Sequence, residues 1–297
     1  MIRQRYSGNC YCGPCFVNSV QTRVLKTIEC HRSVVDGDKV AVAVSGGKDS
    51  VMLLHVISQI QRSLPKFKLV AVTVDEGIEG YSQPNVAIAS WNARNLGVLH
   101  YIFFLGAVFG TTLDEIAELA KPKSMSICSI CGILRRSAIN IAGRRVGATK
   151  IATGHNLDDL AETFIMNVLD GNFAMAIPTR DENQVGSEKL IPRIKPLSCI
   201  PAHEIALYMS VRKLCAYSKR SCPYATGLRD SAREFLNRIE HSHPDVKFKV
   251  ASFSQKLARS VKIRRSPPAM CRVCGEPSSQ EVCKACMVLI SLGLKAG

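Results

Sequence analysis

No stretch of the 297-residue sequence approaches the ~18 uninterrupted apolar residues that a membrane span requires. The opening residues, MIRQRYSGNCYCG, also lack the apolar core of a secretory leader. A cytoplasmic protein with no membrane partner is therefore expected. Acidic side chains are in deficit, 24 Asp and Glu against 39 Lys and Arg, which leaves a formal net charge of +15 at pH 7. Solubility needs far less. The surplus points to a phosphate-rich partner, nucleic acid first, because each cation that replaces a counterion adds affinity independent of base sequence. The spread of cysteines that marks a secreted disulfide framework is missing as well. Of 13 cysteines, eight fall into C-x-x-C pairs at 12/15, 128/131, 271/274 and 283/286, a spacing that in a cytosolic chain reads as metal or redox chemistry.

With 46% hydrophobic residues the chain can build one large core, or a core with small satellites. Residues 38–58, DKVAVAVSGGKDSVMLLHVIS, read as a buried strand (Val40–Val44), a glycine turn and an amphipathic helix, the entry to an α/β domain. The pattern recurs. FKLVAVTVDEG is a second strand ending in an acidic turn, PNVAIASWNARNLG a helix closed by Gly97, and LHYIFFL a third strand. ATKIATGHNLDD supplies a fourth (Lys150–Thr153), feeding the helix LAETFIMNVLDG that stops at Gly171. Connections this short predict a parallel sheet with helices on both faces and ligands at the carboxyl ends of its strands. After Pro201 the strand signal fades into helical stretches, and between Val246 and Arg265 there are seven Lys or Arg and no acidic residue. SPPAM then reads as a linker into a terminal unit, residues 271–290.

That terminal unit carries the strongest metal signal. Cys271-x2-Cys274-x8-Cys283-x2-Cys286 offers four thiolates in two knuckles, the pattern of a closed tetrahedral Zn²⁺ site that holds a small fold together, with a rubredoxin-like iron site as the alternative. SGGKDS (Ser45–Ser50) suits an anion: two glycines let backbone N–H groups approach, a helix N-terminus follows, and Ser45 and Ser50 can donate. It lacks the G-x-x-x-x-G-K-[ST] spacing of an NTPase, and Asp49 would repel phosphate unless Mg²⁺ lay between them. The combination suggests chemistry at a nucleotide α-phosphate with pyrophosphate leaving. By spacing alone, Cys128-x-x-Cys131 stays open between half a zinc site, a redox dithiol and part of a cluster.

AVAVSGGKDS resembles the PP-loop of ATP pyrophosphatases. CSICGILRR followed by ATGHNLDDLAETFIMNVLDGN, RIKPL and SCPYA is similar to the tRNA 2-thiolation enzymes of the TtuA/TtcA group, in the family's order and across almost the whole chain. Flanking fingers and CPYA favour the TtuA-like branch, which makes 2-thiouridine at T-loop position 54. The wobble-uridine thiolases, which share PP-loop, C-x-x-C and fingers, are the close alternative; a non-catalytic, nucleotide-sensing RNA-binding protein is the distant one. The resemblance implies a PP-loop (adenine nucleotide alpha hydrolase-like) parallel sheet with helices on both faces, flanked by small zinc-finger units. It implies ATP on Ser45, Gly46, Gly47, Asp49 and Ser50, with Asp75 and Gly154 as further contacts, and attack on its α-phosphate by the uridine C2 carbonyl oxygen. Lys48 would neutralise phosphate charge, Arg135 falls where the family carries a basic catalytic residue, and Asp159 falls on its essential Asp. Cys128, Cys131 and Cys222 would hold a [4Fe-4S] cluster with one iron open. Sulfur would come from a ubiquitin-like carrier ending in a thiocarboxylate, and a homodimer is allowed.

Four regions are expected: a cysteine-rich segment 1–30, a PP-loop catalytic domain 31–200, a basic helical region 201–266 carrying the third cluster cysteine, and a zinc ribbon 267–297. RYSGNCYCGPCF resembles the second half of the family's first finger, but Cys10, Cys12 and Cys15 are only three ligands. The sequence then starts after a preceding C-x-x-C, or Zn²⁺ on Cys12 and Cys15 recruits a fourth ligand such as His31 or Cys30, or the finger is metal-free. Asp158 reads as either a site residue or a helix N-terminal charge, and His155 as a ligand, a base or a structural residue. Cys199 and Cys215 read as small buried hydrophobes. RNA contact is expected from the basic stretch 246–265, the ribbon, and Arg135, Arg136, Arg144 and Arg145. Arg193 and Lys195 read as phosphate contacts or a surface charge pair.

Overall fold

A computed structural model describes residues 1–123, 125–176, 189–217, 222–224, 228–261 and 269–296. The chain opens with a small antiparallel pair, β1 (Ile2–Arg3) and β2 (Cys10–Tyr11), and helix α1 (Gly13–Cys30). Then come β3 (Lys39–Ala43), α2 (Lys48–Ile60), β4 (Lys68–Asp75), α3 (Ser82–Asn95), β5 (Leu99–Phe104), α4 (Leu105–Phe109), α5 (Leu113–Ala120) and α6 (Ile127–Arg145). β6 (Lys150–Ala152), α7 (Leu157–Leu169), α8 (Phe173–Ala176) and β7 (Arg193–Ile194) complete the sheet region. Helices α9 (Ala202–Val211), α10 (Leu228–Ser242) and α11 (Val246–Ser260) follow, and a terminal unit of β8 (Ala269–Met270), β9 (Pro277–Ser278) and α12 (Lys284–Ser291).

The five-stranded sheet has the order β5-β4-β3-β6-β7, and every pairing is parallel. Its central strands read as near-continuous apolar runs because helices cover both faces. Val40, Ala41 and Val42 are fully buried, and α2 is buried on nearly every side because it lies between the sheet and helices α1 and α9. The expected first strand starts one residue earlier and the fourth ends one residue sooner, yet the Val44 and Thr153 N–H groups still donate to Val72 (2.8 Å) and Ile194 (3.0 Å). Sheet hydrogen bonding therefore reaches where the apolar pattern placed it.

Two other apolar clusters centre on α6. One face packs on the sheet through Ala142 against Val72 and Ile151. The other, through Ile130, Leu134 and Ala138, packs against Ile116 of α5 and against Cys283, Cys286 and Leu289 of the terminal unit. The last unit is thus fastened to the helix that carries Cys128 and Cys131. Arg144 adds a polar tie, its guanidinium gripping both oxygens of Glu276, one at 2.9 Å, and donating to the Lys189 carbonyl at 2.6 Å. Of the SPPAM segment, residues 266–268 lie outside the described residues, and Ala269–Met270 is a strand paired with Pro277–Ser278. Among the described residues no helix is long and apolar enough to cross a membrane.

Candidate nucleotide and thiol site

The strand order reverses between β3 and β6. At such a reversal the loops leaving neighbouring strands diverge to opposite faces and open a crevice at the carboxyl edge. Loop 45–47, running from β3 into α2, is one lip, and loop 153–156, running from β6 into α7, is the other. Between them is an open cavity of about 280 Å³ that Ser45, Gly47, Asp49, Ser50, Gly154 and Asp159 all line. Residues far apart in the sequence, the expected nucleotide contacts and the expected catalytic Asp159, meet here.

Ser50 braces the first lip: its Oγ accepts the Ser45 N–H (3.0 Å) and donates to the Gly47 carbonyl (2.9 Å). Gly46 has φ +83°, and a Cβ there would stand 2.3 Å from the Asn85 carbonyl oxygen, so only glycine fits. On the second lip Asn156 caps α7, exchanging 3.0 Å hydrogen bonds with Asp159, and its side-chain amide donates to Asp49 (3.1 Å). One amide therefore links both lips. Lys48 is not part of the cavity wall; its half-exposed ammonium pairs with Asp49 at 2.7 Å. Burial, followed by the Asp49 charge, holds the Asp159 carboxyl above its ordinary range against the Asn156 N–H and Arg229, whose Nη1 is 3.8 Å away. Two carboxylates beside an anion cradle are hard oxygen donors suited to Mg²⁺.

Asp75 turns elsewhere. Its Oδ1 accepts the Gly77 N–H (2.8 Å) and it lines a neighbouring cavity, whereas Glu76, which sequence reasoning passed over, lines the nucleotide cavity. Glu76 is buried, and its Oε1 lies 2.6 Å from Arg135 Nε. The Nε–H is not aligned on that oxygen, so the contact is one of charge rather than a formed hydrogen bond. Burial opposes the guanidinium charge, but Glu76 and Cys131 more than offset it and keep Arg135 protonated. Arg135 Nη2 also donates to Cys131 Sγ (3.2 Å), so this side chain spans from the cavity to the thiols.

Ser126 caps α6, which puts Cys128 and Cys131 in its first turns. Burial pushes the Cys131 thiol up and Arg135 pulls it down, with Glu76 and Cys222 adding upward pressure. Cys222 joins the same apolar cluster, and the Cys128 thiol donates to the Tyr224 carbonyl at 2.6 Å. Among the described residues, Cys271, Cys274, Cys283 and Cys286 form the one group whose ligand atoms all lie within 4.8 Å of one another. Cys128, Cys131 and Cys222 are not part of that group, and an all-sulfur donor set of three cysteines fits the chemistry of an iron–sulfur cluster.

The terminal four-thiol group has the geometry of a structural metal site. Cys271 Sγ accepts the Cys283 N–H (3.2 Å) and Cys283 Sγ the Cys286 N–H (3.4 Å). Burial works against the Cys271 thiolate, but backbone N–H groups from Cys274, Cys283 and Val273 bring it down to about 6. The N-terminal cysteines differ. Cys10, Cys12 and Cys15 are exposed, and Cys30 and His31 lie at the far end of the 18-residue α1, about 27 Å along its axis. The suggestion that either completes that finger is therefore wrong.

Several basic residues also change role. Arg144, expected on RNA, is committed to Glu276 and Lys189. Lys247, within the basic stretch, is buried, its ammonium shared among Asp158, Asn237 (2.7 Å) and Glu240 (2.7 Å). Asp158 also accepts the Ala202 N–H (2.7 Å), so both its oxygens serve packing. Residues 262–265 of that stretch lie outside the described residues. Arg193 donates to the Arg136 carbonyl (2.6 Å), and Arg136 and Arg145 are exposed. His155 lines the cavity and pairs with Thr153 Oγ1 (2.8 Å); partial burial, then Lys195, Arg229, Arg193 and Arg136, hold it below its ordinary pKa. Cys199 packs against the main core as expected, but Cys215 is exposed.

A parallel sheet whose reversal carries SGGKDS opposite a capped acidic helix defines a PP-loop, ATP-using enzyme, and residues 17–220 match the PP-loop domain family. The chain is 35% identical to cytoplasmic tRNA 2-thiolation protein 1 of Bos taurus, covering 98% of this chain and 84% of that protein. Against the Drosophila melanogaster protein of the same name it is 33% identical, with the same coverage. The solved U34-tRNA thiolase NcsA from Methanococcus maripaludis, with its [4Fe-4S] cluster, superposes with a TM-score of 0.85 at 32% identity, over 99% of this chain and 94% of that one. The chain belongs to the PP-loop tRNA 2-thiolation family, as an ATP-using sulfurtransferase. These relatives overturn the assignment to the T-loop branch: the thiolase it superposes on is one for U34. PP-loop, C-x-x-C and fingers are shared by the T-loop and wobble-uridine branches, so they could not separate the two.

Proposed function

We propose that this protein is a cytoplasmic tRNA 2-thiouridine synthetase acting on the wobble uridine, position 34. The observation that carries the reading is Arg135, which joins the wall of the nucleotide cavity at Glu76 to the thiol site at Cys131. Activation and sulfur delivery then share one crevice.

Loop 45–50 would hold ATP, and the Asp49 and Asp159 carboxylates would hold Mg²⁺, which would supply positive charge to offset that of the phosphates. The uridine C2 carbonyl oxygen attacks the α-phosphorus, pyrophosphate leaves, and the oxygen becomes part of an AMP leaving group. A sulfur nucleophile adds at C2 and AMP departs with both electrons of the C–O bond, with no net redox change. Cys128, Cys131 and Cys222 would hold a [4Fe-4S] cluster, which would supply an iron site for that sulfur. Lys48 can turn from Asp49 to incoming phosphate, and Arg135 balances charge between adenylate and thiolates. Cys271, Cys274, Cys283 and Cys286 would hold Zn²⁺, which would stabilise the ribbon fold. A ubiquitin-like thiocarboxylated carrier is the proposed source of sulfur, and the exposed cations Arg136, Arg145 and Lys256 face the tRNA backbone.

The test is nucleoside analysis of tRNA from a strain lacking the gene, paired with anaerobic iron analysis of the wild-type and Cys222→Ala proteins. Loss of 2-thiouridine derivatives from position 34, with about four irons in the wild type, is the expected result. Intact thiolation at that position, or zinc on Cys128 and Cys131, would defeat the reading.

A further inference from the structure

Cys222 must reach the two α6 thiols from a different part of the chain, in a segment, 222–224, that belongs to no helix or strand. Tyr224, two residues on, is anchored at both ends. Its carbonyl accepts the Cys128 thiol proton at 2.6 Å, and its phenol donates to Asp114 Oδ1 at 2.7 Å. The other Asp114 oxygen accepts the Glu79 N–H at 2.8 Å, in the turn after β4. Asp114 itself stands in the first turn of α5, which packs against α6. One carboxylate therefore ties the segment 222–224 to two elements of the sheet domain.

The two anchors differ when a metal is bound. The carbonyl contact uses a thiol proton, which a metal-bound thiolate lacks, whereas the phenol contact involves no ligand and persists. No role in the reading above falls to either residue.

We infer that Asp114 and Tyr224 are positioning residues for the thiol site: the phenol–carboxylate hydrogen bond holds Cys222 opposite Cys128 and Cys131 so that a three-cysteine cluster is retained. This rests on the reading that those cysteines hold an iron–sulfur cluster. Outer-sphere partners of this kind are worth about 10- to 100-fold in metal retention.

The experiment uses full-length protein reconstituted anaerobically, with loss of the visible cluster absorbance to an iron chelator followed over time. Tyr224→Phe removes one hydroxyl and is expected to lose its cluster about 10- to 100-fold faster than wild type, with ATP affinity and apo-protein melting unchanged. Asp114→Ala does the same, Asp114→Asn, which keeps an acceptor, less so, and Tyr224→Phe with Asp114→Ala is no worse than either alone. Wild-type retention by Tyr224→Phe overturns the proposal while leaving the cluster reading intact. If Cys222→Ala retains its cluster as wild type does, the cluster reading falls and the proposal with it.

Discussion

Arg135 and Cys131, one helical turn apart on α6, are joined by a 3.2 Å hydrogen bond from Nη2 to Sγ, and the same guanidinium stands 2.6 Å from Glu76 through Nε. A planar fork can make both contacts at once. Lysine, a single point charge, cannot. Arg135→Lys is expected to slow single-turnover thiolation on the order of 100-fold through misplacement of charge, and Glu76→Gln about tenfold. In both variants the loss should fall on the rate more than on ATP affinity, read by comparing turnover with equilibrium ATP binding.

Gly46 and Gly37 both have positive φ, yet their surroundings differ. A Cβ at Gly46 meets the Asn85 carbonyl at 2.3 Å, while one at Gly37 meets nothing within 4 Å. Both alanine variants should lose about 1 kcal/mol or more of stability from backbone strain. Only Gly46→Ala should also weaken ATP binding, by about tenfold or more, since it must move the loop. Calorimetric ATP titration of the two variants checks this.

Lys247 and Lys256 lie on one helix and separate two functions of basic residues. Lys247 is buried against Asp158 and Glu240, and Lys256 is exposed. Lys247→Met strands two carboxylates and should cost about 3–5 kcal/mol in denaturant unfolding. Lys256→Ala should leave stability alone, weaken tRNA binding and reduce the salt slope by about one. An unchanged salt slope would remove this helix from the RNA surface.

His55 is buried in the core beside Tyr208, whose hydroxyl is 3.1 Å from Nδ1. Burial, followed by the Arg212 charge, lowers its pKa from 6.5 to about 4. Between these values the unfolded chain binds a proton that the folded one does not, so stability falls as the solution is acidified through that window. The contribution is at most about 1.4 kcal/mol per pH unit. His55→Leu should flatten the melting-temperature profile there and leave it unchanged above pH 7.

Much of this was legible in the sequence because it depends on local periodicity. KVAVA before SGGKDS fixes a buried strand and a loop at its end, and four cysteines at ribbon spacing need no distant information to find one another. Glu76 was hidden by a parity problem: at the end of a strand adjacent residues face opposite sides, and Asp75 and Glu76 are both carboxylates. Lys247 was hidden because burial of a lysine depends on Asp158 and Glu240 arriving from α7 and α10. Cys30 and His31 looked available until α1 proved to run unbroken from Gly13. Which uridine is modified depends on the surface that meets the tRNA, and no motif of the reacting centre encodes that.

The packing of the four-thiol ribbon on α6 has a consequence for biosynthesis. Ile130, between the paired thiols, and Leu134, one turn beyond, find part of their apolar surroundings in Cys283, Cys286 and Leu289, far downstream in the chain. A nascent chain that has already released its nucleotide domain still lacks that support, and α6 has one side uncovered until the ribbon emerges. With zinc on the ribbon and iron on the α6 thiols, as proposed above, iron is expected to be inserted late, after zinc, and zinc starvation is expected to yield a protein deficient in iron as well.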